Sequence, residues 1–173
     1  MRQSDAWIEQ VRSDYAASIK VRDDKDASTY CQAIAKYQQV AEKSVKALTA
    51  AINDLGVPVA ISRSHNPGLE LDALRRTPHA VLVEDIEKIL TAKMHESIRE
   101  LCSLAPRFPR AGDAHVRNTE YPFNPDPATL DDWTAPASVG SFTLAEAESY
   151  RRLIWVLRSR VEKFVGTTRR RRS

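Results

Sequence analysis

Apolar residues return every three or four positions in four long stretches of this chain, and that period predicts helices. The first spans about residues 5 to 20, where Ala6, Ile8, Val11, Tyr15 and Ile19 fall near one face with Trp7 beside them. Charged residues at 22 to 26 break the pattern. The second, residues 26 to 55, is the strongest signal: Ala27, Cys31, Ile34, Gln38, Ala41, Val45, Leu48, Ile52 and Leu55 step by four and three in turn. Gln38 is the one polar interruption. Gly56 stands at the position after a helix end that favours a left-handed backbone, and Pro58 follows.

Residues 57 to 68 read as a connector with turn chemistry at Asn66-Pro67-Gly68. A short helix over 69 to 76 follows. Thr77-Pro78 then reads as the cap and first residue of a longer helix carrying Ile86, Ile89, Leu90, Ile98 and Leu101, ended by Pro106 and Pro109. Between 107 and 141 no regular element is legible, and Pro122, Pro125, Pro127 and Pro136 punctuate a long loop of the kind that is functional or disordered. The last helix opens on the capping box Thr143-Leu-Ala-Glu146 and keeps Tyr150, Ile154, Leu157, Val161 and Phe164 on one face. Gly166 is its expected stop. Arg151, Arg152, Arg158 and Arg160 lie mostly off that face. The expectation is all-α: an up-and-down bundle of four to five helices, one domain over residues 1–166, then a disordered Arg-rich tail over 167–173.

Composition narrows this further. A length of 173 residues suits one buried core, and 42% apolar with 28% charged residues is ordinary for a soluble globular protein. Five glycines among many Ala, Leu, Glu, Lys and Arg also favour helix over sheet. The first residues lack the apolar segment of a secretory signal, and no apolar run approaches the roughly 20 residues of a membrane span. Cys31 and Cys102 cannot form a disulfide framework and read as buried, reduced thiols of a cytoplasmic protein. A net charge of +3 makes the whole molecule no general nucleic-acid magnet, although four of the 26 basic residues sit in the run 169–172.

Most enzyme motifs are missing. His95-Glu-Ser-Ile-Arg99 begins like a zinc-protease helix, but Arg99 stands where the second ligand belongs. Scattered His and Cys give no zinc spacing, and there is no Gly-rich phosphate loop or nucleophile elbow. No metal or cofactor is expected. The stretch HVRNTEYPF at 115–123 concentrates what remains: His115, Arg117, Asn118 and Tyr121. His near neutral pH moves protons, and Arg holds a phosphate bidentately as charge develops on it.

The segment YCQAIAKYQQVAEKSVKAL at 30–48 resembles the signature helix of HEPN (higher eukaryotes and prokaryotes nucleotide-binding) domains. Trp7 and Asp14-Tyr15-Ala16 fit the family's first helix, Ser64-His65 its next helix start, Tyr121-Pro122 its Arg-Tyr-Pro element, and residues 141 to 148 the start of its last helix. The resemblance implies a helical bundle, usually a homodimer. Many such domains are metal-independent endoribonucleases, partnered by a small nucleotidyltransferase in toxin–antitoxin or defence systems; others bind nucleotides, RNA or protein without cutting. Active members carry Arg, a polar residue, then His four to six residues after the Arg. Here Arg117-Asn118 gives the start, but Tyr121, Pro122, Phe123 and Asn124 stand where the His is expected, and Glu120 replaces the Arg before Tyr-Pro. Arg110 and His115 meet the spacing, yet Ala111, Pro109 and Gly112 do not fit the motif's helix.

The reading is therefore a dimeric binding module for nucleotide, RNA or a partner, with Arg117, Asn118, Tyr121 and Gln38 as binding residues. The alternative is a metal-independent endoribonuclease using Arg117, Asn118 and His115 or Tyr121. A structural adaptor without nucleotide affinity is the third reading. Glu42 and Lys46 read as a surface pair, and His65 as a helix-start contact.

Overall fold

The computed structural model describes residues 1–23, 29–61, 67–76, 80–104 and 142–170. Six helices account for them: α1 (Gln3–Asp23), α2 (Tyr30–Asp54), α3 (Pro67–Arg75), α4 (Ala80–Ile89), α5 (Ala92–Ser103) and α6 (Leu144–Arg170). No strand occurs among the described residues, and none of these helices is long and apolar enough to cross a membrane.

Helix α2 is the axis of the fold. α1 packs along it most extensively, α6 lies against it next, and α3 and α5 touch it as well. Nineteen of its 25 residues are buried, far more than one amphipathic stripe supplies. Small residues permit this: Ala33, Ala41, Ala47 and Ala51 are fully buried and let neighbouring helices approach on several sides. Cys31, Ile34, Ala41, Val45, Leu48 and Ile52 of its expected stripe form the core with Val11 of α1, Leu71 and Leu74 of α3, Ile98 and Leu101 of α5, and Ile154, Leu157 and Val161 of α6. Gly56 adopts φ +86°, as its position after the α2 end predicts, and donates to the Asn53 carbonyl. The Asn53 side chain then pins the outgoing chain, donating to and accepting from the Val59 backbone at 2.9 and 2.6 Å.

Three boundaries differ from expectation. The long helix over 77–104 is broken at Leu90 and Thr91, which makes six helices rather than four to five. Thr91 is extended (φ −60°, ψ 155°), and its hydroxyl accepts from the Met94 N–H at 3.3 Å, capping α5. On the other side of the break, Arg160 of α6 donates to the Lys88 and Ile89 carbonyls at 3.1 and 3.3 Å. Those are carbonyls that the end of α4 leaves open.

α6 also passes through Gly166 to Arg170, so residues 167–170, expected in the tail, are helical. Glycine costs a helix roughly 1 kcal/mol against alanine, but Phe164, Val165 and Thr168 around it are buried, and that packing prevails. In α1, Ala6 is exposed, while Ser4, Asp14 and Ser18 are buried beside Ile8 and Val11. Polar partners explain the shift: the Ser4 hydroxyl donates to Asp54 at 2.7 Å, and Asp14 pairs with Lys43 of α2. At the start of α6 the capping box forms as its sequence predicts, Thr143 N–H donating to Glu146 at 2.8 Å and Glu146 N–H to the Thr143 hydroxyl at 3.2 Å.

Candidate functional site

His115, Arg117, Asn118, Glu120 and Tyr121, with His65, lie outside the described residues. Gln38 lies within them. It is buried, and its amide donates to the Leu101 carbonyl in the last turn of α5 at 2.9 Å. Glu42 and Lys46 continue the same column one and two turns on. They are not a surface pair: both are buried, Lys46 donates to Glu42 at 2.6 Å, and its ammonium sits 5.4 Å from the Trp7 ring centroid. The all-round burial of α2 overturns the surface reading. Beside them, burial pushes the Cys102 thiol up to about 12, with the Glu42 charge adding to the effect. Such a thiol stays protonated and unreactive at neutral pH.

A second group of charges lines the seam between α1 and α6. Arg12 of α1 meets Glu162 at 3.1 Å, and Arg158 reaches the same carboxylate at 3.5 Å. The Arg158 guanidinium also lies 4.4 Å from the centroid of Tyr15. Further along, Arg22 and Arg151 share Glu148, Arg151 at 2.9 Å, with Asp23 beside Arg22. Burial works against the Glu148 charge, but the bonds from Arg22 and Arg151 outweigh it and hold its pKa below the usual carboxylate range. The same bonds raise both guanidinium values, that from Glu148 foremost.

Tyr37 of α2 lies in the field of Arg22 and Arg151. It is wholly buried, and desolvation pushes its phenol up to about 12 even though both arginines pull the other way. Its hydroxyl, the Arg22 Nε and the Arg158 Nε are buried and lack hydrogen-bond partners among the described residues. Four guanidiniums here draw on Glu148 and Glu162, with Asp23 at the edge, so donors exceed acceptors. The seam therefore carries a local surplus of positive charge, while the unpartnered atoms themselves are buried.

Sequence pattern placed Arg151 and Arg158 off the apolar face of the last helix. It gave no sign that α1 supplies Arg12 and Arg22 opposite them, since 126 residues separate Arg22 from Glu148.

Two cavities lie elsewhere. One of about 390 Å³ between α3, α4 and α5 is walled by Leu74, Ile86, Leu90 and His95. Behind His95, Asp72 stands 3.7 Å away and takes Arg99 at 2.6 Å. The other, about 350 Å³ between α4 and α6, is lined by Lys88, Arg160 and Lys163 with Asp85 among them. Among the described residues no three His, Cys, Asp or Glu side chains converge as metal ligands. In comparisons with protein-family models, curated proteins and solved structures, the chain matches none.

Proposed function

We propose that this chain is a HEPN-like helical binding module, working as a dimer, that holds the phosphates of a nucleotide or RNA without cutting them. The observation that supports it best is the charge along the α1–α6 seam, where Arg12, Arg22, Arg151 and Arg158 outnumber the carboxylates of Glu148, Glu162 and Asp23. The missing His after Arg117-Asn118 favours binding over cleavage. Residues 115–123 join the reading as a second contact through Arg117, Asn118 and Tyr121, and a nucleotidyltransferase-type protein remains the partner that the resemblance suggests.

The test is anisotropy of a labelled RNA titrated at several salt concentrations. Affinity should fall linearly on a log–log plot as salt rises, because each neutralised phosphate releases counterions. Arg152→Ala, an exposed change, should lower the magnitude of that slope by about one. No affinity for RNA or ATP at low salt overturns the reading in favour of a structural adaptor. Metal-free RNA turnover lost in Arg117→Ala overturns it in favour of an endoribonuclease.

A further inference from the structure

Trp155 of α6 is 52% exposed, one of three large apolar side chains so open among the described residues, beside Met1 and Leu144. The half-exposed indole presents a π-face and an N–H donor at the surface. Its surroundings specify the chemistry. On a helix only residues three and four positions away share a face. For Trp155 these are Arg151, Arg152, Arg158 and Ser159, so three of its four helical neighbours are arginines. The carboxylates closest along α6, Glu148 and Glu162, are two turns away, and each is bridged by two arginines.

An apolar protein surface docking here would have to strip water from guanidiniums around the indole, which is unfavourable without paired acceptors. A nucleic-acid strand supplies both requirements at once. Its base offers a π-face to the indole, and its phosphates offer acceptors to the arginines on either side. A duplex keeps its base faces stacked inside and offers phosphates, 2′-hydroxyls and groove edges, but no free π-face along its length.

From this juxtaposition we propose that Trp155 is a base-stacking platform for single-stranded nucleic acid, with the exposed Arg152 taking a flanking phosphate. This rests on the phosphate-binding reading above and makes it specific to single strands.

The experiment compares the full chain with Trp155→Ala and Trp155→Phe, using a short adenine-rich single-stranded RNA and the same RNA annealed to its complement. Trp155→Ala should weaken single-strand binding by about tenfold, within the range that a stacked base contributes, and leave duplex binding unchanged. Trp155→Phe should recover most of the loss. Both variants should melt with the parent, since the side chain is exposed.

Parent binding to both RNAs that Trp155→Ala leaves unchanged overturns the stacking platform and leaves the phosphate-binding reading standing. Binding of neither RNA by the parent overturns both. If Trp155→Ala instead dissociates a dimer in ultracentrifugation without altering RNA affinity, the surface is a protein interface and the proposal fails.

Discussion

The interior of α2 and the α1–α6 seam treat charge in opposite ways. Glu42 and Lys46 are buried and face one another, and Gln38 in the same column donates to the Leu101 carbonyl at the end of α5. In the seam, Arg12, Arg22, Arg151 and Arg158 share Glu148 and Glu162, and buried donor atoms are left over. The matched pair lies within α2, and its column ties that helix to α1 through Lys46 over Trp7 and to α5 through Gln38. On the reading proposed above, the surplus charge of the unmatched set serves an anion from outside. The first region should therefore be read out in stability and the second in binding.

The largest test of that division is Lys46→Met. It leaves the Glu42 carboxylate buried without its ammonium and should cost about 3–5 kcal/mol, measured by urea unfolding. The double change Glu42→Leu with Lys46→Met should regain most of that loss, because replacing a buried pair by apolar groups is often neutral or stabilising. A single variant as stable as the parent would mean that the pair does not organise the interior.

Gln38→Leu comes next, at about 1 kcal/mol. The expected loss is modest because the Leu104 N–H also reaches the Leu101 carbonyl, at 3.3 Å. RNA affinity should not change in either interior variant. A parallel loss of affinity in a still-folded Gln38→Leu would move Gln38 from the packing column into the binding surface.

Tyr37→Phe probes the border between the two regions. The phenol has no hydrogen-bond partner among the described residues, so its removal should leave stability at neutral pH nearly unchanged or slightly higher. The alkaline limb is where it should show. Burial raises the folded pKa from 10.0 to about 12. The unfolded chain therefore loses this proton first, and stability falls as pH rises through the window between those values. Tyr37→Phe should flatten that part of the stability profile. An unaltered slope would show that the hydroxyl is not held in a dry site.

How much of this was legible in the sequence follows from which forces act locally. The core faces of α2 and α6, the capping box at Thr143 and the left-handed Gly56 depend on residues within a turn of one another, and the one-dimensional pattern contains them. The break at Thr91 does not, because Arg160 from α6 helps to close it. Nor does the passage of α6 through Gly166, which depends on where Phe164 and Thr168 find cover. Glu42 and Lys46 look like any exposed i, i+4 pair until α2 is surrounded on several sides. Residues 115–123, outside the described residues, stand out by residue type and by their family resemblance, whereas the seam exists only because α1 lies beside α6.

The smallest expected stability change belongs to Arg12→Ala, and it sharpens the comparison most directly. Arg12 spans α1 and α6 through Glu162, yet its side chain is 61% exposed, and Arg158 reaches the same carboxylate. Exposed pairs of this kind contribute about 0–1 kcal/mol, and here Glu162 keeps a partner after the change. Thermal melting should therefore shift hardly at all, while RNA affinity at low salt should drop and depend less steeply on salt. Those two readouts moving apart is the signature of a charge kept for a ligand. If Arg12→Ala destabilises the fold as much as Gln38→Leu and leaves RNA binding untouched, the seam is a structural network like the interior, and its surplus donors serve the bundle alone.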